Sequence, residues 1–247
     1  MSREFRTDRG IFVPAITTEQ MREIDRIAIE ETGPNLYQMM ENAGRNLATV
    51  ALEMVGDESL ESRILVLAGT GGNGGGGICA ARHLANRGIE TVLCMAQPHG
   101  LSEVSKWQHQ VFSSTPGKVL SAGDLARERF DLILDALIGY GLTGAPAGIY
   151  ADLIAWANST GTRILALDVP SGLDSTTGNT PGPAIRAEAT VTLALPKTGL
   201  LAGKAGGLFL ADIGIPLETY RRVGVVYFPP FGSRYIVPLH IRTGDPR

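Results

Sequence analysis

Cysteine is scarce in this sequence, and we expect neither a secretory nor a membrane-spanning segment. The chain has 247 residues and two cysteines, Cys79 and Cys94, which are too few for a disulfide framework. Its first ten residues are polar and charged, without the apolar centre of a signal peptide. No stretch of about 18 apolar residues is present, so we expect no membrane span. These absences predict a protein of a reducing compartment, and we expect the cytoplasm.

Positive charge and histidine are also limited. The formal net charge is −3, so composition gives no electrostatic argument for a nucleic-acid partner. The four histidines lack the spacing of metal ligands, and no Ser/His/Asp or Cys/His arrangement can be assembled around them. One of them, His83, lies inside a predicted helix and is expected to be structural.

After residue 62, the sequence contains many short apolar runs, and these alternate with helical segments. The runs are mostly continuous, which is typical of strands buried on both faces of a parallel sheet. Strands that alternate with helices predict a Rossmann-like, doubly wound α/β fold. The predicted strands are 63–68, 90–96, 130–137, 163–169 and 189–195, and the predicted helices between them are 77–88, about 102–115 and 148–160.

Two amphipathic helices, 16–32 and 36–55, precede these runs and form an N-terminal helical extension. We expect no strand before them. Segments 206–214 and 223–228 are predicted as edge strands, and residues 229–247 as a tail on the surface. The whole chain, 1–247, is interpreted as one domain with its core at about 16–216.

The densest feature is a run of seven glycines between Gly69 and Gly77, directly after the first parallel strand. Such a turn at a helix N-terminus exposes backbone N–H groups that suit a phosphate. A tight strand-to-helix turn with close packing would explain one or two of the glycines, so seven favour a ligand. The run matches a dinucleotide fingerprint, but no acidic residue ends the second strand, which argues against an ordinary dehydrogenase.

Further candidate residues follow the later strands. Asp135 and Asp168 each end an apolar strand, and Ser171 follows in a proline turn. Each aspartate alone could cap a turn, whereas two at one rim of the sheet favour a site. Lys197 follows the fifth strand and is either a solvated loop lysine or a phosphate contact.

Taken together, five ordered segments resemble the YjeF N-terminal domain family, whose enzymatic members are NAD(P)H-hydrate epimerases. The resemblance extends from about Ile16 to about Pro216. Its segments are MMENAG (39–44), GTGGNGGGG (69–77), LDALIGYGLTG (134–144), LDVPSGLDS (167–175) and TLALPKTGL (192–200).

The resemblance implies a function in coenzyme repair, often by a homodimer. The substrate would be NADH or NADPH hydroxylated at ring carbon 6, whose R and S epimers the enzyme interconverts. Potassium would be held by Asn73, Asp135 and Ser171. The carboxylate proposed as the acid/base is Asp168, although the sequence does not rank it above Asp135. The substrate would be contacted by residues of the glycine run, of the loop after the third strand and of the fourth strand's end. These are Gly72, Asn73, Gly74, Gly75, Gly76, Gly139, Tyr140, Gly141, Leu142, Thr143, Gly144, Ala145 and Asp168. Lys197 is a further candidate contact because it follows the fifth strand.

The chain departs from the family pattern at two positions of the glycine run. Gly72 stands where the family has its first asparagine, and Gly76 where it has an aspartate. If that aspartate takes part in chemistry, this protein would be a catalytically lapsed module that binds a nucleotide, RNA or protein. The retention of Asp135, Asp168 and Ser171 favours the epimerase.

Overall fold

The computed structural model describes residues 3–243, which form one ten-stranded sheet with helices on both faces. Its strands are β1 (Arg3–Thr7), β2 (Phe12–Val13), β3 (Arg63–Ala68), β4 (Glu90–Met95), β5 (Lys118–Val119), β6 (Leu132–Ala136), β7 (Arg163–Leu167), β8 (Ala189–Leu193), β9 (Gly207–Ala211) and β10 (Ile236–Thr243). The α-helices are α1 (Thr18–Ile27), α2 (Leu36–Val55), α3 (Gly72–Ala85), α4 (Glu103–Phe112), α5 (Ile149–Ser159) and α6 (Leu217–Arg222).

The sheet confirms the predicted doubly wound α/β class. Strands β9-β8-β7-β6-β3-β4-β5 are parallel in that order. Their side chains alternate between two cores: Ile64 and Val66 of β3 pack with α2 and α3, whereas Leu65 packs with α5. The chain moves outward from β3 to β5 and then returns to β6 on the other side of β3. The gap between β3 and β6 is therefore the topological switch point, where such folds bind ligands.

The N-terminal extension differs from the expectation, because strands β1 and β2 precede the helices. Strand β1 pairs antiparallel with β10 and with β2. Phe5 of β1 is buried in one apolar cluster with Ile24 of α1. Two antiparallel strands thus support the helices. Only Phe5 and Thr7 of β1 are buried, and the charged residues around Phe5 conceal the strand in the sequence.

The C-terminal segment also corrects the prediction. Residues 236–243 are not a surface tail but strand β10, which lies between β1 and β9. Strand β9 is consequently interior rather than an edge strand, and 223–228 forms no strand. Val237 and Leu239 alternate with less buried residues and face the apolar cluster. This half-buried alternation is a weaker sequence signal for a strand than the continuous apolar runs of the parallel strands.

The helices largely follow their sequence signals. Helix α1 begins with the Thr17–Gln20 capping box, and α2 has the predicted bounds. After α1, residues 28–32 form a π-helical turn. Helix α3 starts five residues before its predicted first residue, so most of the glycine run is helical. None of the helices within residues 3–243 is both long and apolar enough to cross a bilayer.

Candidate functional site

A cavity of 970 Å³ opens at the carboxyl edge of the parallel strands, beside the switch point. Its floor comes from the segments after β3, β6 and β7, and its opposite wall from α1 and α2. The lining residues are Met21, Arg22, Asp25, Leu36, Met39, Met40, Ala43, Thr70, Gly71, Gly72, Asn73, Leu137, Ile138, Gly139, Tyr140, Gly141, Leu142, Thr143, Gly144, Ala145, Pro146, Ala147, Tyr150, Asp168, Leu193, Lys197 and Ile213.

The N-terminus of α3 supplies one end of this cavity. Its first helical hydrogen bond runs from the amide of Gly75 to the carbonyl of Gly71, at 3.0 Å. The three preceding amides therefore have no acceptor inside the helix, and two of them belong to the lining residues Gly72 and Asn73. Free amides at the positive end of a helix dipole form an anion site.

The remaining glycines of the run serve packing. Gly74, Gly75 and Gly76 are buried in α3 and do not line the cavity. A Cβ on Gly74 would lie 1.9 Å from the carbonyl oxygen of Gly69, and one on Gly75 would lie 2.5 Å from Met40 Sδ. The interpretation that seven glycines favour a ligand is thus corrected, because close approach of backbone and side chains accounts for most of them.

Gly76 lies against the core. A Cβ there would meet Leu167 Cδ2 at 2.9 Å and Ala43 at 3.7 Å. A side chain at this position would start between β7 and α2 rather than in the cavity.

The loop after β6 forms a second wall. All seven residues of 139–145 line the cavity. A Cβ added to Gly141 or Gly144 would meet no described atom within 4 Å. Tyr140 anchors the loop: its carbonyl oxygen accepts a hydrogen bond from Ser175 Oγ at 3.0 Å.

Asp135 and Ser171 meet beneath the cavity floor. Asp135 is fully buried and accepts hydrogen bonds from the amide of Ser171 at 2.8 Å and from Ser171 Oγ at 2.6 Å. A third comes from the amide of Leu137 at 3.2 Å. Burial raises the pKa of Asp135 to about 6, against the effect of these hydrogen bonds.

Asn73 approaches the same floor from α3. Its side-chain carbonyl would lie 3.1 Å from a Cβ placed on Gly139. Its Nδ2 atom is buried and has no hydrogen-bond partner among residues 3–243. An unsatisfied buried amide is uncommon in proteins and calls for a ligand or an ordered water.

Asp168 is a reactive group of the cavity wall whose backbone is strained. It has φ of +68°, a left-handed conformation that is rare outside glycine. Its carboxylate forms a buried ion pair with Lys197 and accepts hydrogen bonds from the amides of Tyr140 at 3.2 Å and Leu193 at 3.4 Å. Lys197 is fully buried, so it is not a solvated loop lysine. Its Nζ also donates to the carbonyl of Leu193 at 2.9 Å.

Asp25 of α1 is a site residue that the sequence reasoning missed. It lines the cavity, and the Tyr140 hydroxyl donates to its Oδ2 at 2.5 Å. Burial raises the pKa of this carboxyl group. One signal could have found it: Met21, Asp25 and Ala28 recur at helical spacing, which places a carboxylate on an otherwise apolar stripe.

The model of the YjeF-related protein N-terminus family matches residues 36–199, about two thirds of the chain. The chain belongs to this family. The matched range includes the glycine run, both strand-end aspartates and Lys197. The match confirms the resemblance seen in the sequence.

Several proteins match the chain at 33–50% identity. The chain is 50% identical to an NAD(P)H-hydrate epimerase of Dehalogenimonas lykanthroporepellens over 97% of this chain and 98% of that protein. It is 40% identical over 85% of its length to a bifunctional NAD(P)H-hydrate repair enzyme of Hyperthermus butylicus, of which it covers 40%. The crystal structure of yeast ynu0 superposes with a TM-score of 0.82 at 22% identity, covering 92% of this chain and all of that one. That last likeness confirms the fold.

Proposed function

We propose that this protein is an NAD(P)H-hydrate epimerase, an isomerase that interconverts the R and S epimers of NADH and NADPH hydroxylated at ring carbon 6. The observation that carries this conclusion is the 50% identity, over nearly both full lengths, to a protein of that name. The cavity agrees with it, because it combines an anion site with buried carboxylates in a space large enough for a nucleotide.

The substrate's phosphates belong at the N-terminus of α3 in this proposal. The amides of Gly72 and Asn73 are free there, and loop 139–145 would surround the ligand with further backbone donors. Gly74, Gly75 and Gly76 do not contact the ligand in this proposal. Because they have no side chains, they let α3 pack closely enough for its first turn to face the ligand.

The chemistry needs a group that can hold a proton beside ring carbon 6. The substrate is a hemiaminal, so its ring nitrogen can expel the hydroxyl once that oxygen is protonated. The planar iminium that results accepts water on either face, and this exchange produces the other epimer. Asp168 is our candidate for the base that takes the proton of the incoming water, because it lines the cavity whereas Asp135 lies below it. One positioned acid or base contributes typically 10²–10⁴-fold.

A potassium ion fits the residues beneath the floor. The candidate ligands Asn73, Asp135 and Ser171 all offer oxygen atoms, which hard cations prefer. Asn73 would bind the ion through Oδ1, which lies beside Gly139, whereas its unsatisfied Nδ2 is a hydrogen-bond donor and does not coordinate a cation. When bound, potassium would neutralise the Asp135 carboxylate and order the start of loop 139–145. We therefore assign potassium as the cofactor, and we also propose a cytoplasmic homodimer.

An epimer-exchange assay tests the function. A single purified epimer of NADH hydrate or NADPH hydrate is incubated with the protein in potassium or in sodium buffer, and both epimers are followed by chromatography. We expect equilibration far above the rate in buffer with heat-inactivated protein, and faster in potassium. Exchange at the buffer rate in every condition would contradict the proposal. Size-exclusion chromatography with light scattering measures the oligomeric state.

A further inference from the structure

Helix α1 brings a second carboxylate to the cavity wall, on the side opposite the sheet. Asp25 is half-buried among apolar residues and receives the Tyr140 hydroxyl at 2.5 Å. Its nearest neighbour on the helix face, Met21, also lines the cavity. Glu23, two residues earlier, is by contrast exposed and forms an ion pair with Arg26 at 2.8 Å. Asp25 is therefore the carboxylate of α1 that the fold turns toward the ligand.

Asp168 is poorly arranged to supply a proton. Three donors already occupy its carboxylate, and one of them is the buried ammonium of Lys197. Each of these partners is a donor, so the carboxylate acts toward all of them as an acceptor. An epimerase nevertheless has to protonate a leaving hydroxyl, so the cavity needs a second group that carries a proton.

One residue connects the two carboxylates. The backbone amide of Tyr140 donates to Asp168, and the hydroxyl of the same residue donates to Asp25. The ring of Tyr140 lies between them, with Lys197 Nζ 5.9 Å from its centroid. The two acids are thus held on different sides of one aromatic residue, inside one cavity.

We propose that Asp25, through its hydrogen bond with the Tyr140 hydroxyl, is the second acid/base group of the epimerisation. This inference rests on the proposed function. Asp25 or the tyrosine hydroxyl that it re-protonates gives a proton to the hydroxyl on ring carbon 6, and the C–O bond breaks as the nitrogen lone pair forms the N=C bond. Water then forms a C–O bond on the other face, the N=C electron pair returns to nitrogen, and Asp168 takes the proton. In the reverse direction the two groups exchange roles.

The surroundings of Asp25 suit this task. Burial raises its pKa, and the negative charge of Asp168 acts in the same direction, whereas Lys197 and the Tyr140 hydroxyl oppose it. Burial and the neighbouring Asp25 carboxylate raise the pKa of Tyr140, whereas Arg22 of the same helix as Asp25 opposes that rise. Tyr220 of α6 also lies within electrostatic range of Asp25. Two carboxyl groups whose environments differ in this way are typical of an acid and a base working on one substrate.

The test compares Asp25→Asn, Asp25→Glu and Tyr140→Phe with the matched control Glu23→Gln in the epimer-exchange assay. For Asp25→Asn we expect kcat to fall at least 100-fold with KM changed less than about threefold, and the alkaline limb of the pH profile, which reports the group that must be protonated, to disappear. Asp25→Glu should recover part of kcat and restore that limb. Tyr140→Phe should lower kcat at least tenfold, and Glu23→Gln should match the wild type.

Thermal melts and binding of NADPH hydrate by thermal shift accompany each variant. If Asp25→Asn fails to fold, Tyr140→Phe decides the question, because it removes only one hydroxyl. An Asp25→Asn or a folded Tyr140→Phe variant with wild-type kcat and pH profile would overturn the role of Asp25 while leaving the epimerase intact. A wild-type protein without exchange would overturn the proposed function itself, and this inference with it.

Discussion

At the scale of single residues, the cavity contains arrangements that are energetically unfavourable by themselves. Asp168 combines a left-handed backbone with a fully buried lysine partner. A non-glycine residue in that conformation costs on the order of 1–3 kcal/mol and clusters at functional sites. The surrounding strands keep this geometry because the amide of Asp168 donates to the carbonyl of Val191 at 2.7 Å.

We expect Asp168→Asn to lose both activity and stability. Epimer exchange should fall by about 10²–10⁴-fold, and the free energy of unfolding by about 3 kcal/mol, because Lys197 is left as an unpaired buried charge. The double variant Asp168→Asn with Lys197→Met should regain much of the stability and none of the activity. Urea denaturation and the exchange assay measure the two effects. Wild-type stability of the single variant would show that the ion pair contributes little.

Potassium binding should depend on pH through Asp135. Its pKa is raised from 3.8 to about 6 in the folded chain, so the folded state holds the proton more tightly than the unfolded state. In potassium-free buffer, the contribution of Asp135 to stability is thus greatest below its unfolded pKa and is lost as the pH rises to about 6. Potassium competes with that proton, so its stabilising effect should be larger at pH 7.5 than at pH 5.

Thermal melts in potassium and sodium at both pH values test this expectation, with Asp135→Asn as the control. The variant should show no difference between the two ions. A potassium effect of equal size at pH 5 and pH 7.5 would exclude Asp135 as a ligand.

At the scale of elements, α3 is defined by how closely it approaches its neighbours. A Cβ on Gly77 would lie 2.4 Å from the Cβ of Ala136 in β6, and one on Gly44 of α2 would lie 2.5 Å from Cys79 Cβ. Toward α2, Arg82 donates to Glu41 and to Cys79, and Nε2 of His83 lies 2.8 Å from Glu41 Oε1. Helix α3 is therefore fixed by glycine contacts on one side and by a guanidinium on another.

We expect Gly77→Ala to destabilise the protein by about 1–3 kcal/mol, because the strand beneath it cannot move away. Gly141→Ala is the control: its Cβ would meet no atom within 4 Å, and the backbone there is not left-handed. Chemical denaturation of both variants gives the comparison. Equal stability would mean that α3 can shift from β6 at little cost.

The sequence predicts these elements unevenly, for a physical reason. Strands such as β3 are buried on both faces and read as continuous apolar runs, so their positions and the two aspartates at their ends could be found. The glycine run could not be interpreted correctly, since a missing side chain looks the same whether a ligand or Ala136 takes its place. Asp25 was missed because its position in the cavity depends on how α1 docks, which no local pattern records.

At the scale of the whole molecule, the two ends of the described chain complete the sheet together. Strand β10 connects β1 to β9, and the cluster beneath them joins Phe5 with Leu239. Helix α1, which carries Asp25, packs on this antiparallel part of the sheet. The C-terminal segment, which the sequence suggested to be peripheral, therefore supports one wall of the cavity.

We expect Leu239→Ala in β10 to cost about 2–5 kcal/mol, as for other buried leucines. Leu60→Ala is the matched control, because that side chain is 70% exposed and should change stability by less than about 0.5 kcal/mol. Thermal and urea melts compare the two. If the Leu239 variant were as stable as the Leu60 variant, β10 would contribute little to the stability of the fold.

Tyr140 is held at three points, by its amide to Asp168, its carbonyl to Ser175 and its hydroxyl to Asp25. The glycines that follow it have empty space beside them. We therefore expect the entrance of the cavity to rearrange when a coenzyme enters, while the groups bonded to Tyr140 keep their positions. Admission and bond breaking become separable steps, and substitutions at the rim should alter how quickly the damaged coenzyme enters without altering how quickly it is converted.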